Sequence, residues 1–385
     1  MKENNTKNLY VLWAIAFIVG LIALIMKLVT GERLAGYGSY VPWGLWVGLY
    51  FHFIGIAGGA FAIGTIGYFL NFKGFREHIR VILLLSACSI VTGLFSIWLD
   101  LGQPFRFVRI LYSPNFGSMM AFNAWMYLVF FAIITWIFYL TMNKTHQNDL
   151  HDKSGWLVPL LALGFVFSIA FPSQSGSFLG VVDAKPFWSS PLVPLLFLAS
   201  AIICGAAAIL LVFTFLSPAQ TSVREQPFSM LRYIIIGGMV FYFIAEFAEF
   251  SLVFWSPHSE IRSSVELILF GHFWWVFWLI HLGGSFIALI MLVRGNSIKL
   301  LGTASFIVVV GFLSARLNIL IPGQAVSELK GLKEAFYHFR LRCDYSPTLN
   351  EYLVAVFIGA FAVGLFYSGM KMLSKITTKR IGTLL

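Results

Sequence analysis

The sequence predicts an all-α, polytopic integral membrane protein with about ten transmembrane helices, folded as one domain over residues 1–385. Three observations predict this. The chain is 59% hydrophobic and 11% charged, whereas soluble chains are about a quarter charged. Its 40 Phe, 34 Gly and 12 Trp exclude a charged, aromatic-poor disordered chain. Its apolar residues fall into runs of the length a helix needs to cross hydrocarbon, about 20 residues.

The runs are 9–29, 41–70, 78–101, 119–142, 155–173, 190–216, 230–255, 266–293, 298–321 and 349–373. The first follows a short basic start and lacks a small-residue cleavage site after Lys27, so it reads as an anchor. The second carries Gly55 and Gly59, then Ala60 and Gly64, each pair four apart, a row that lets helices approach closely. The third ends on Asp100; Asn115 and Asn123 flank the start of the fourth, and Gln174 closes the fifth. Gly-Ala-Phe-Ala (59–62) and Gly-Ala-Ala-Ala (205–208) are a faint internal repeat. The seventh carries Glu246 and Glu249, and the eighth, long enough to tilt, carries His272 and His281. Arg316 and Asn318 lie in the ninth, and Glu351 opens the tenth. Between these two, the long loop 322–348 mixes Lys330, Lys333, Glu334, Arg340 and Arg342 with Phe336 and Tyr337. It reads as an interfacial or docking element, or as a solvated segment.

Ten spans put both termini on one side. Of the 26 Lys and Arg, 15 fall on that side and 11 on the other, where five lie in or beside the loop 322–348. The positive-inside rule therefore predicts cytoplasmic termini. The net charge of +10 reads as loop charge rather than a nucleic-acid surface.

Polar groups within spans are expensive and default to function. Here they gather in the outer third. Glu246 and Glu249, three apart, share a helix face. Together they read as a proton relay, or as a hydrogen-bonded buried pair. Arg316 reads as one half of a structural ion pair, with Glu351 or Glu249 as its partner. His52, His272 and His281 are the histidines well inside spans. His272 and His281 point to opposite faces, so a bis-histidine haem would need His52. His52 otherwise reads as a quinone or proton ligand, or as a satisfied core residue. Cys88, Cys204 and Cys343 are far apart, which excludes an iron–sulfur cluster or a disulfide framework in this chain.

Residues 98–125 hold the densest chemistry, with Asp100, Gln103, Arg106 and Arg109 followed by Asn115 and Asn123. A quinone head group is a flat ring with two carbonyl oxygens. It needs hydrogen-bond donors, a proton-exchanging neighbour and apolar walls. Trp43, Trp46, Trp98 and Trp125 suit such walls, or an interfacial aromatic belt.

The segments 40–61 (YVPWGLWVGLYFHFIGIAGGAF), 100–107 (DLGQPFRF), 112–125 (YSPNFGSMMAFNAW), 173–207, 316–323 (RLNILIPG) and 345–352 (YSPTLNEY) together resemble the NrfD/PsrC family of membrane quinone-reactive subunits, in its ten-helix branch. The resemblance implies two four-helix bundles plus flanking helices, without haem. It implies exchangeable menaquinone or ubiquinone near the outer face, in the bundle containing the Trp-Gly helix. It also implies a ferredoxin-like iron–sulfur subunit on the periplasmic face of a bacterial inner membrane, and through it a catalytic or multihaem cytochrome subunit. The positions matched are Trp43, Gly44, Asp100, Gly102, Pro104, Arg106, Asn115, Ser118, Asn123 and Gln174. The chain departs from the family pattern at Pro42, Ser173 and His281, which leaves Tyr40, His52 or Asp100 to exchange protons with the quinone. The expected quinone site is thus Tyr40, Trp43, His52, Asp100, Arg106, Asn123 and Gln174, with Asp100, His52, Glu246 and Glu249 in proton transfer. A docking patch is expected on the loops 31–40, 102–118, 174–190 and 256–265. The competing reading is a secondary transporter or ion pump without redox chemistry.

Overall fold

The computed structural model describes residues 2–143, 155–216, 225–255, 259–327, 331, 338 and 343–382. Ten helices in it are long and apolar enough to cross a membrane. They are α1 (Lys2–Thr30), α2 (Leu45–Phe69), α3 (Ile79–Asp100), α4 (Met119–Asn143), α5 (Leu157–Gly180), α6 (Leu192–Leu216), α7 (Gln226–Trp255), α8 (Val276–Arg294), α9 (Ile298–Ala325) and α10 (Leu349–Gly382). With an even number of crossings, the start of α1 and the end of α10 share a face, called here the terminal face. The far face carries the starts of α2, α4, α6, α8 and α10.

Two four-helix bundles stand side by side. α2–α5 pack around one core and α6–α9 around another, while α1 pairs with α10 against α2 and α3. α2 is central. Of its most apolar stretch 94% is buried, against 17% for α1. The burial follows from its glycines, which leave no side chain to hold neighbours off. A Cβ on Gly59 would stand 1.8 Å from the Ala201 carbonyl oxygen of α6, and one on Gly205 would stand 2.3 Å from the Ala60 nitrogen. α2 and α6 thus meet backbone to backbone, at the two stretches of the faint sequence repeat.

Most helix ends fall within a few residues of the apolar runs; α1 begins earlier, at Lys2, α10 runs on to Gly382, and three further departures bear on the far face. α5 runs seven residues past position 173, because Pro172 inside it leaves the helix intact and the serines beyond bond back into it: Ser175 Oγ donates to the Phe171 carbonyl at 2.8 Å and Ser177 Oγ to that of Ser173 at 3.2 Å. The expected long span 266–293 is two elements. A surface helix, Ser259–Phe270, buries Val265 and Ile268, and α8 begins only at Val276. His272 lies in the turn between them, not inside a span. Third, α9 continues to Ala325 through Pro322, and residues 343–348 fold back so that Cys343 and Tyr345 are buried. The loop residues Lys330, Lys333, Glu334, Phe336, Tyr337, Arg340 and Arg342, and positions 256–258 of the expected docking loops, lie outside the described residues.

Two helices of the second bundle are irregular. The first nine residues of α8, Val276–Gly284, wind as a π-helix before Ser285–Arg294 continues as α-helix. Gly295, at φ +45°, then ends it in the left-handed conformation that favours glycine. α9 is broken at Phe312 into Ile298–Gly311 and Leu313–Ala325.

The α2–α6 contact gives a test. Gly59→Val should lower unfolding stability by about 1–3 kcal/mol or more, since backbone must move to admit the side chain. Gly237→Ala, at a site with nothing within 4 Å of the added Cβ, should be neutral. Thermal unfolding in detergent, followed by circular dichroism, compares the two; equal midpoints would refute the close crossing.

Candidate functional site

The far-face third of the first bundle contains a buried hydroxyl chain. Tyr50 of α2 and Tyr127 of α4 are joined at 2.7 Å, and Tyr127 meets Ser175 Oγ of α5 at 2.9 Å. Ser175 gives its hydrogen to the Phe171 carbonyl. Each hydroxyl has one hydrogen, so Tyr127 donates to Ser175 and Tyr50 donates to Tyr127. The chain therefore ends in free lone pairs on Tyr50. One turn from Tyr127 toward the far face, on the same side of α4, lies Asn123. It is 3% exposed, and its Oδ1 is buried with no hydrogen-bond partner. An unpaired buried amide oxygen costs about 1–3 kcal/mol, so it marks a place where a donor is missing. Gln174, half-buried beside Ser175, approaches the same end of the bundle. Trp43 sits above α5. Its ring stacks on Trp188 at 5.9 Å and leans on Phe178 at 5.7 Å. Its N–H donates to Gln324 Oε1 and its carbonyl accepts from Gln324 Nε2, both at 3.0 Å, which clamps it to α9.

A second cluster lies at the rim, toward α1 and α10. Tyr37 donates to Asp100 Oδ1 at 2.6 Å and stacks on Tyr345. Tyr345 donates to Glu351 Oε1 at 2.5 Å and accepts from the Leu45 N–H at 2.9 Å. Burial first, then the Asp100 charge, pushes the Tyr37 phenol well above the ordinary range. Burial and the Glu351 charge do the same to Tyr345. Both phenols therefore remain hydrogen-bond donors at neutral pH. Lys27 pairs with Glu32 at 2.9 Å, donates to the Leu99 carbonyl and lies 5.4 Å over the Trp46 ring. Tyr40 is half-buried beside Val41, Ile321, Ala325 and Tyr345.

Arg106 is exposed on a strap, Pro104–Tyr112, laid across the far face. The strap is pinned by two indole N–H groups, Trp98 to the Pro104 carbonyl at 3.0 Å and Trp125 to that of Ile110 at 3.2 Å. Trp46 is wholly buried, with its N–H on the Glu351 carbonyl at 3.2 Å. These three tryptophans thus fasten loops and helix ends; none has the free interfacial ring of an aromatic belt.

The expected site brings Trp43, Asp100, Arg106 and His52 together. In the structure each has contacts of its own. Trp43 turns toward α5 and α9, Asp100 toward Tyr37, and Arg106 toward solvent. His52 gives its Nε2–H to the Val309 carbonyl of α9 at 2.7 Å, a satisfied link between the bundles. The expected ion pair of Arg316 with Glu351 does not form. Arg316 donates to the Phe197 carbonyl at 2.9 Å and lies 3.9 Å over the Phe197 ring, between α2 and α6. Glu351 is at the rim, taken up by Tyr345 and by the N–H groups of Gly36 (2.7 Å) and Thr348 (2.9 Å). Nor does Glu249 pair with Arg316, since it accepts from Ser190 Oγ at 2.7 Å. Glu246, one turn deeper, meets His281 Nε2 at 3.1 Å.

The family model described as polysulphide reductase, NrfD matches residues 33–328. The chain belongs to this NrfD family. The match spans α2 through α9, hence both bundles, and leaves the flanking pair α1 and α10 outside. A subunit of the selenate reductase of Mesobacillus selenatarsenatis is 30% identical, over 91% of this chain and 89% of its own length. The Hdr-like menaquinol oxidoreductase integral membrane subunit of Archaeoglobus fulgidus is 24% identical over 90% and 88%. The menaquinone reductase integral membrane subunit of Nitratidesulfovibrio vulgaris is 22% identical over 64% of each. This NrfD-family chain is accordingly a multi-pass membrane protein whose relatives are membrane subunits of oxidoreductases. Sequence reasoning found Asn123 but missed Tyr50 and Tyr127, and did not link Ser175 to them. The signal available was three hydroxyls in otherwise apolar runs, with Tyr127 one turn from Asn123.

If Arg316 and Glu351 are independent, the destabilisations of Arg316→Met and Glu351→Gln should add within about 0.5 kcal/mol in a double-mutant cycle of unfolding in mixed detergent. The Glu351→Gln change alone should cost about 1–3 kcal/mol, because donors lose their acceptor. A coupling well above about 1 kcal/mol would restore the ion pair.

Proposed function

We propose that this protein is the quinone-reactive membrane subunit of a respiratory oxidoreductase complex. In this reading it exchanges electrons between menaquinone or ubiquinone in the bilayer and an iron–sulfur partner on the far face. The observation that carries the reading is the orphan Asn123 Oδ1, one turn above the Tyr127–Ser175–Tyr50 chain, in a family whose relatives include a menaquinol oxidoreductase and a menaquinone reductase. Oxidation of a quinol releases two electrons and two protons, so its O–H groups need acceptors and the product carbonyls need donors. An asparagine amide offers both. Asn123 Oδ1 would accept the O–H of a quinol and its amide would donate to a quinone carbonyl. Gln174 is the second polar group at that end, and Trp43 with Phe178 forms an apolar wall. Asp100, hydrogen-bonded to Tyr37 at the rim, is the assigned proton exit. Tyr40 and His52 are assigned to packing, since their environments are apolar or already satisfied.

The positive-inside count supports cytoplasmic termini, which makes the far face periplasmic in a bacterium. The strap with exposed Arg106 and Arg109 supports a docking surface there for an electron-carrying subunit. The alternative, a transporter or ion pump without redox chemistry, has one observation in its favour. That observation is the π-helix of α8 lying against the break in α9.

Asn123→Ala and Tyr127→Phe should each lower quinone-dependent turnover of the purified complex about 10-fold or more, the loss of one or two buried hydrogen bonds. Arg106→Ala should leave the quinone KM unchanged and weaken retention of the partner subunit. Wild-type turnover in both Asn123→Ala and Tyr127→Phe would sink the assignment.

A further inference from the structure

The second bundle holds a buried titratable group that the quinone reading does not use. His281 is fully buried in the π-helical part of α8. Its Nε2 meets Glu246 Oε2 of α7 at 3.1 Å, and its Nδ1 meets Ser314 Oγ of α9 at 3.2 Å. Ser314 donates to the Gly311 carbonyl, across the break in α9. Four aromatic rings surround the imidazole: Tyr242 at 5.7 Å, Phe243 at 5.5 Å, Phe277 at 5.9 Å and Phe312 at 5.6 Å. Ring faces attract a cation, and Glu246 supplies an anion.

We propose that Glu246 and His281 form a proton-loading site in the second bundle, filled from the far face and distinct from the quinone site of the first. The proton lies on the 3.1 Å line between Glu246 Oε2 and His281 Nε2. Its transfer interconverts a neutral acid–imidazole pair and a carboxylate–imidazolium pair, and no electron moves. Because the serine hydrogen goes to Gly311, Ser314 Oγ accepts from Nδ1–H. Nε2 is then the nitrogen that gains and loses the proton. The entry route is Glu249, one turn nearer the far face on the same side of α7, which reaches the half-buried Ser190 of the α5–α6 loop at 2.7 Å.

The groups facing the pair are few. From α7 come Tyr242, whose hydroxyl points at Glu246 Oε1 from 3.5 Å, and Glu249. From α9 come Ser314 and the fixed cation Arg316, and from α6 comes Cys204; both Arg316 and Cys204 lie within electrostatic reach of Tyr242. Irregular helix is the second, independent sign. π-helical segments concentrate at functional sites, and a broken transmembrane helix is tolerated where it serves a site. Here both irregularities lie at His281.

The link to turnover rests on the quinone reading; the site itself does not. α9 supplies that link, because it holds Trp43 through Gln324 at one end and His281 through Ser314 at its break. Two measurements keep the claims apart. Infrared difference spectra of the purified full-length chain between two pH values, in H2O and D2O, should contain a buried carboxylic-acid band that shifts in D2O. The band should vanish in Glu246→Gln, move in His281→Gln and persist in Glu249→Gln. A band that survives Glu246→Gln, or ignores His281→Gln, overturns the site. In vesicles carrying the whole complex, Glu246→Gln should reduce protons moved per electron to the value quinone chemistry alone supplies, with detergent turnover within about threefold of wild type. Glu246→Asp should recover part of the loss. An unchanged ratio in Glu246→Gln overturns the coupling, whereas absent quinone turnover in the unmodified complex overturns the functional reading and leaves the infrared experiment to decide the site.

Discussion

The contact on which the rest depends is the crossing of α2 and α6, where Gly59 and Gly205 bring two backbones together without side chains between them. In hydrocarbon no hydrophobic force drives helices together, so close van der Waals fit and internal hydrogen bonds must do so. The crossing supplies the fit, and polar links along the same seam add bonds. His52 bonds the Val309 carbonyl from α2, and Arg316 bonds the Phe197 carbonyl from α9. A wider spacing of α2 and α6 would stretch the His52 bond, though not the Arg316 bond inside the second bundle. It would also move α9, whose Gln324 holds both backbone polar groups of Trp43. The far-face end of the first bundle is therefore positioned from the second.

Much of the fold was legible because hydrocarbon imposes a length and an apolar composition on each span, and most of the runs emerge at nearly their expected ends. The two-bundle arrangement came from the resemblance; composition alone does not pair helices. The eighth run misled because the surface helix Ser259–Phe270 has one apolar face, carrying Val265 and Ile268, and continues the hydrophobic signal into α8. A window average cannot see the turn at Gly271–Phe273. The faint repeat at 59–62 and 205–208 proved informative for a physical reason. It marks the two places where small residues are required by the same contact.

The candidate site was half legible. Charged residues announce themselves in apolar runs, so Asp100, Glu246, Glu249, Arg316 and Glu351 were all found. Their partners were not, because pairing is a property of three-dimensional neighbours. Glu351 is satisfied by backbone N–H groups and a tyrosine, Arg316 by a carbonyl and a ring, and neither type of partner leaves a mark in sequence. Tyrosine and serine hydroxyls are equally quiet, since both residues are common in spans as packing groups. Only geometry distinguishes Tyr50, Tyr127 and Ser175, which meet across helices, from hydroxyls such as Ser168 and Ser200, whose bonds stay within their own helix.

Arg316 shows how the two bundles share one electrostatic problem. A guanidinium 3% exposed in a low-dielectric interior is expensive unless compensated. A carbonyl and an aromatic face at 3.9 Å compensate it in part, and they do so without neutralising its charge. The remaining field is weakly screened, so it extends to Tyr242 and, through that hydroxyl, to Glu246. Had Arg316 paired with Glu351, the charge would have been cancelled at the rim and Glu246 would face His281 alone. Because it does not, the second bundle keeps one fixed cation beside one acid–imidazole pair. The net charge of that group then changes by one each time a proton enters. A buried site whose charge changes while its neighbours' charges stay fixed must be coupled to whatever moves those neighbours. The element that carries Arg316, Ser314 and Gln324 together is α9.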